Sequence, residues 1–269
     1  MLPRLFILWL ALWAPAPVPE SFHFAILGDR TGEAQPGVYE KVLQAATSDH
    51  PAFVLSVGDT IQGLRDEAAV GEWQQWERLM QPFRKYAFYL APGNHDVWSE
   101  GSAQLFAEHA GKPLHYSVDY GTVHITVLDN SRAEQFSAGE LSFLEQDLKA
   151  HADAPVKFIV SHRPSWLINV LTRDTDFPLH RLARKYGVNY VVAGHVHEML
   201  HFRLEGVEYV SLMSSGGHLR ASGRYEDGWF FGYAGVAVQG GMVQFRVHGL
   251  NGRETSLGEW GSGGILTGK

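Results

Sequence analysis

From Phe22 onward the chain repeats one arrangement: a short, continuously apolar run breaks off in a cluster of glycine and polar residues. Phe22 to Leu27 ends in Gly28 and Asp29, Phe53 to Val57 in Gly58 and Asp59, and Tyr86 to Ala91 leads to Gly93, Asn94, His95 and Asp96. Val156 to Val160 ends in Ser161 and His162, and Tyr190 to Ala193 in Gly194, His195, Val196 and His197. Runs this short, rich in β-branched and aromatic residues, predict strands buried on both faces. Between them lie helical spacings, such as Val38, Val42, Leu43 and Ala46, or Leu141, Leu144 and Leu148. Ser137 and Glu140 stand at the spacing of a capping box at the start of the latter helix. Strands alternating with helices predict an α/β fold with a largely parallel sheet, whose ligands bind beyond the carboxyl ends of the strands. The five polar clusters should therefore converge on one edge. Leu114 to Asn130 and Tyr209 to Val247 are dense in aromatic and β-branched residues separated by turn residues. They predict mainly antiparallel strands, forming a second sheet packed on the first.

Length and composition narrow the class. A chain of 269 residues with 45% hydrophobic and 19% charged residues has material for a sizeable core. The net charge of -7 and the absence of any Lys/Arg run disfavour duplex nucleic acid as a partner. With no Cys, disulfides, thiolate metal ligands and cysteine nucleophiles are excluded. At the N-terminus Arg4 precedes an apolar stretch from Leu5 to Trp13, followed by Ala14, Pro15, Ala16 and Pro17. This order predicts a signal peptide over 1–20 and a secreted or periplasmic protein, an uncleaved N-terminal anchor being the alternative. No membrane span is expected in the mature chain, because no second apolar stretch of spanning length follows. One catalytic domain is expected over 21–257, followed by a Gly-rich flexible tail over 258–269.

The strand-terminal clusters pool Asp29, Asp59, Asn94, His95, Asp96, His162, His195 and His197. Carboxylate, amide and imidazole donors without thiolate suit Mn, Fe or Zn, and admit Mg or Ca less readily. The donors outnumber the needs of one ion. Two ions about 3.5 to 4 Å apart can clamp an in-line phosphoryl displacement in which a bound hydroxide attacks. No G-x-S-x-G turn occurs, which argues against a serine hydrolase.

In their order along the chain, the two GD turns, the GNHD of Gly93 to Asp96, strand-terminal His162 and the GHVH of Gly194 to His197 resemble the motifs of calcineurin-like metallophosphoesterases. The resemblance implies a sandwich of two mixed β-sheets flanked by α-helices, and hydrolysis of phosphomonoesters or phosphodiesters of small phosphorylated substrates. It further implies two divalent or trivalent metal ions bridged by Asp59, the first also held by Asp29 and His197 and the second by Asn94, His162 and His195. By the same resemblance His95 contacts phosphate and protonates the leaving oxygen, while Asp96 orients His95. A carboxylate beside an imidazole raises its pKa, which suits that role.

Two positions depart from the family pattern. Thr31 stands where an imidazole is usual, so the first metal site is expected to be the weaker one. Gln62 stands where purple acid phosphatases carry Tyr. Arg30 and Arg163, next to proposed ligands, are candidates to bind substrate phosphate. His218 is a lesser candidate for the pocket wall, and His50, His109, His115 and His124 read as surface or structural residues. The competing reading is a non-catalytic protein that uses the same site to bind phosphate, nucleotide or metal. Retention of His95 and Asp96, which hold no metal in the family picture, argues against metal capture alone.

Overall fold

The structure is a computed structural model and describes residues 20–260. In chain order its elements are β1 (Ser21–Leu27), α1 (Val38–Thr47), β2 (Phe53–Ser56), α2 (Asp66–Met80), β3 (Ala87–Leu90), α3 (Glu100–Ala110), β4 (Tyr116–Tyr120) and β5 (Val123–Val127). There follow α4 (Ala138–Ala150), β6 (Val156–Val160), α5 (Leu167–Leu171), α6 (Pro178–Lys185), β7 (Tyr190–Ala193), β8 (Leu200–Leu204) and β9 (Val207–Ser211). The last strands are β10 (Gly232–Gln239), β11 (Met242–Gly249) and β12 (Glu254–Ser256).

The strands form two six-stranded mixed sheets, ordered β12-β11-β10-β1-β2-β3 and β4-β5-β6-β7-β9-β8. All five apolar runs are strands, but they divide between the sheets. β1, β2 and β3 run parallel in the first, and β6 and β7 run parallel in the second. The two aromatic-rich stretches do not make a sheet of their own. β4 and β5 extend the second sheet beside β6, β9 joins β7, and β10 and β11 complete the first sheet beside β1. A continuous apolar run states that both faces of a strand are covered and says nothing of which strand lies beside it.

The layer between the sheets is the largest core, where Phe24 of β1 stacks on Phe53 of β2 and meets Phe158 of β6 edge to face, with centroids 5.6 Å apart. Leu43, Trp73 and Phe106 of α1, α2 and α3 cover the outer face of the first sheet, and Leu144 and Ala183 of α4 and α6 cover the second. Burying each large side chain contributes about 1.5–3 kcal/mol, so the interlayer fixes the two sheets against each other. Strand ends from both sheets are thereby held at one rim.

Two local expectations are corrected. At the start of α4, Ser137 accepts from the Glu140 amide, but the Glu140 carboxylate does not return to it. It accepts instead from the Asp129 amide at 3.0 Å and meets His115 Nδ1 at 2.6 Å, so only half of the capping box forms. The tail expected to be flexible from residue 258 is anchored as far as Trp260, whose ring is buried against Tyr225 and Phe230. An apolar aromatic near the chain end outweighs the glycines around it. The remainder of that tail, and the leader expected over 1–20 apart from Glu20, lie outside the described residues. Among the described residues no helix is long and apolar enough to cross a membrane.

Candidate metal centre

The loops that leave β1, β2, β3, β6 and β7 carry the predicted ligands. Asp59, His195 and His197 adopt left-handed backbone conformations, with φ of 55°, 70° and 62°. Holding a non-glycine residue there costs on the order of 1–3 kcal/mol. The turns are tight enough that a Cβ on Gly93 would fall 2.2 Å from Asp59 Oδ1, and one on Gly194 2.3 Å from Asp29 Oδ1. Glycine before the GNHD and GHVH side chains is thus what lets each carboxylate reach its place.

Two groups of donors result. In the first, His162 Nε2 lies 3.3 Å from Asp59 Oδ1, 3.0 Å from Asn94 Oδ1 and 3.1 Å from His195 Nδ1. One donor atom from each of Asp59, His162 and His195 lies within 4.8 Å of the others. In the second, His197 Nε2 lies 3.3 Å from Asp29 Oδ2. Both oxygens of Asp29 accept from the His195 amide at 3.0 Å, which ties the groups together.

The imidazoles are aimed from behind. His162 Nδ1 donates to the Val57 carbonyl at 2.9 Å and His197 Nδ1 to the His218 carbonyl at 2.7 Å, leaving each Nε2 to face the cluster. His197 Nε2 is buried and has no hydrogen-bond partner. An orphaned buried imidazole nitrogen beside a carboxylate, with the far N–H held by a carbonyl, fits a metal ligand. The residues present therefore suit divalent metal.

The electrostatics agree. Burial disfavours a charged His162, yet Asp59 and then Asp29 outweigh it and raise the imidazole to about 9. His195 is pushed down to about 4 by burial, then by His162 and Arg163. Burial works against ionisation of Asp59, and His162 and His95 overcome it, holding the carboxyl well below its usual range. A site that holds the Asp59 carboxylate ionised and the His162 imidazole protonated is prepared to exchange that proton for a metal cation.

The other predicted residues are placed less simply. The Asp96 carboxylate does not touch the His95 ring. It is wholly buried and accepts from the amides of Thr60 at 2.7 Å, Ile61 at 3.0 Å and Gly93 at 3.0 Å, clasping the β2 loop to the β3 loop. Burial and neighbouring Asp59 push its carboxyl up to about 7, against the pull of the amides. The His95 ring is oriented by Gln62, whose carbonyl receives Nδ1–H. Arg30 does not reach into the cluster: its Nη1 donates to the Thr60 carbonyl at 2.7 Å and its guanidinium lies over the Tyr39 ring. Arg163 does border the cluster, with Nη1 3.2 Å from His195 Nε2 and 2.6 Å from Glu134 Oε1. The Thr31 hydroxyl faces the carbonyls of Asp59 and Ile61 at 2.8 and 2.6 Å, so it braces the ligand loop and is turned away from the metal donors. The His218 side chain is exposed, and its contribution is the carbonyl that aims His197.

Asn130 was missed. Its side-chain oxygen accepts from the amides of His162 at 3.2 Å and Arg163 at 3.0 Å, and its Nδ2 donates to the Arg163 carbonyl at 2.8 Å. It fixes the turn that presents His162. Its place just past an apolar strand, like the other polar clusters, is the signal that could have found it.

The Asp96 clasp carries a prediction. Asp96→Ala strands three buried amides, each worth about 1–3 kcal/mol when unsatisfied. Urea unfolding should show a loss of about 3 kcal/mol or more, together with weaker metal binding. A loss below about 1 kcal/mol would mean that water takes over the clasp.

Over residues 22–199 the chain matches the model of the calcineurin-like phosphoesterase family. The purple acid phosphatase PPD1 of yellow lupin (Lupinus luteus) seeds superimposes with a TM-score of 0.65 at 15% identity, over 88% of this chain and 53% of that one. The chain thus spans about half the length of the lupin protein. A dimetal phosphatase from Danio rerio gives a TM-score of 0.60 at 14% identity, over 90% and 99% of the two chains. GAP50, the anchor in the inner membrane complex of Plasmodium, gives 0.59 at 15% identity, over 88% of each. Identities this low show a shared fold. The family match extends over most of the chain and includes every strand-terminal cluster, and the protein belongs to the calcineurin-like phosphoesterase family.

Proposed function

We propose that the protein is a metal-dependent hydrolase of small phosphomonoesters or phosphodiesters that holds two ions, drawn from Mn, Fe or Zn, and acts outside the cytoplasm. The observation that carries this reading is the meeting, at one rim, of Asp59, Asn94, His162 and His195 with the Asp29–His197 pair. The location rests on the leader-like order of residues 1–20 alone.

When bound, the metal ions supply Lewis acidity toward water and the phosphoryl oxygens. The chain's own residues then divide the remaining tasks. Asp29, Asp59, Asn94, His162, His195 and His197 hold the ions. His95 is partly exposed beside them, and with Nδ1–H fixed on the Gln62 carbonyl its Nε2 is the atom left to carry a proton to the departing oxygen. Arg163 offers a guanidinium to the phosphoryl group, for which substrate must compete with Glu134. Asn130 and Asp96 keep the ligand loops in register.

The test is to load the purified chain with Mn, Fe, Zn, Mg or Ca in turn, measure metal content, and assay an aryl phosphomonoester and the matching diester. Turnover with a transition metal is expected. Stoichiometric metal with no turnover of either ester would overturn the hydrolase and leave a binding protein.

A further inference from the structure

The side of the β4–β5 pair that meets α4 is polar where a helix-on-sheet contact is ordinarily apolar. Register places Asp119 opposite His124 and Ser117 opposite Thr126. Asp147 of α4 and His151 at its end pack onto this patch. The His124 side chain is wholly buried, with Nε2 2.9 Å from Asp147 Oδ2 and Nδ1 2.8 Å from Asp119 Oδ1. Hydroxyls of Thr126 and Ser117 donate to Asp147 at 2.6 and 2.8 Å. His151 Nδ1 donates to the Asp147 carbonyl at 2.8 Å, its Nε2 lies 3.6 Å from Asp119 Oδ2, and its ring stacks on His124 with centroids 3.9 Å apart.

Each imidazole therefore has one nitrogen anchored on Asp147 and the other turned to Asp119. A remote N–H held by a carboxylate or carbonyl is the outer support of a metal-ligating histidine. One donor atom from each of Asp119, His124 and His151 lies within 4.8 Å of the others. A neutral His124 cannot donate from both nitrogens, so one lone pair presses on a carboxylate oxygen unless a proton or a cation stands between them. Burying such a network in place of apolar side chains is costly unless something compensates it.

We propose that Asp119, His124 and His151 form a second metal site, distinct from the one at the strand ends, that takes one borderline divalent cation of the zinc class with Asp147 as its outer carboxylate. The cation takes the lone pair of His124 Nδ1, and the proton held there passes to solvent. Two ligating rings must each contain the ion in their plane, so His151 turns off the stack as the ion enters. The His151 and Asp119 side chains are 32% and 63% exposed, which leaves space for the turn, and Asp147 Oδ1, 3.3 Å from His151 Nδ1, stands ready to keep that N–H on Asp147. Three protein donors leave a fourth position for water. The ion pins the end of α4 to the edge of the second sheet.

The experiment is equilibrium dialysis of the full chain against Zn(II) alone, with zinc per chain measured for the parent, Asp119→Asn, His151→Gln and Asp59→Asn, and thermal melts to confirm folding. Asp119→Asn and His151→Gln should each hold one zinc fewer than the parent and keep its ester turnover. Asp59→Asn should lose zinc and turnover at the strand-end site while retaining this ion. Zinc content equal to the parent in both edge variants would overturn the site and leave a proton-bridged network. Loss in only one of the two would overturn the three-ligand assignment.

Discussion

Prolonged chelation is expected to abolish ester hydrolysis, and adding back one transition metal to restore most of it. The reason lies in what the metal-free site contains. The chain has no Cys. Two serine hydroxyls of the loop after β9 are committed, Ser215 to the Gly232 carbonyl at 2.8 Å and Ser214 to the Gly217 carbonyl at 2.7 Å. His162 is fixed through Nδ1 on Val57, and Asp59 is paired with it. None of these groups is a free nucleophile for phosphorus, and on the proposed reading attack would come from water activated by the bound ions. Reloading should depend on pH in a definite direction. Against the effect of burial, Asp59 raises His162 to about 9 in the metal-free chain, so below that pH the imidazole holds a proton where the ion must bind. Each pH unit downward should weaken apparent affinity by about tenfold for that one proton, and reloading should improve from pH 6 to pH 8. Activity that survives verified metal removal would sink the mechanism.

His95→Ala is expected to keep the bound metal and lose about 100-fold to 10,000-fold in rate on esters with poor leaving groups. The loss on an activated aryl ester should be much smaller, because its departing oxygen needs no proton. Geometry makes the variant informative. The bond from His95 to the ligand Asp59 comes from the backbone amide at 2.9 Å and survives truncation, and the ring is held by Gln62 rather than by any metal donor. Metal content and turnover therefore separate. Equal losses on both substrates, with chemistry shown to limit both rates, would remove His95 from the acid role.

Much of this was legible in the sequence, for a physical reason. An apolar run ending in Gly-Asp, Gly-Asn-His-Asp or Gly-His-Val-His states a buried strand and its functional end at once, and the structure brings those ends together. The division of the runs between two sheets was not legible, because pairing partners are chosen by topology and leave no mark in local periodicity. Nor were the partners of polar side chains. Asp96 looked like the orienter of its neighbour and instead serves three amides, two of them distant in sequence, Thr31 looked like a poor ligand and braces a loop, and Arg30 looked toward substrate and binds a carbonyl. His124 read as an ordinary structural residue, and only tertiary packing reveals the carboxylates on both its nitrogens.

The position of β1 has a consequence for how the chain is made. β1 is flanked by β2 on one side and by β10 on the other, with Phe22 opposite Val238. A ribosome delivers β2 soon after β1, but β10 only after β2 to β9 have all been made. Until then one edge of a strand carrying Phe22, Phe24 and Ile26 has no neighbour, and an open apolar edge is a template for pairing with other chains. The first sheet is therefore closed only after every strand of the second has been made. Nascent chains stalled before β10 should accumulate as chaperone clients, and those released beyond β11 should not.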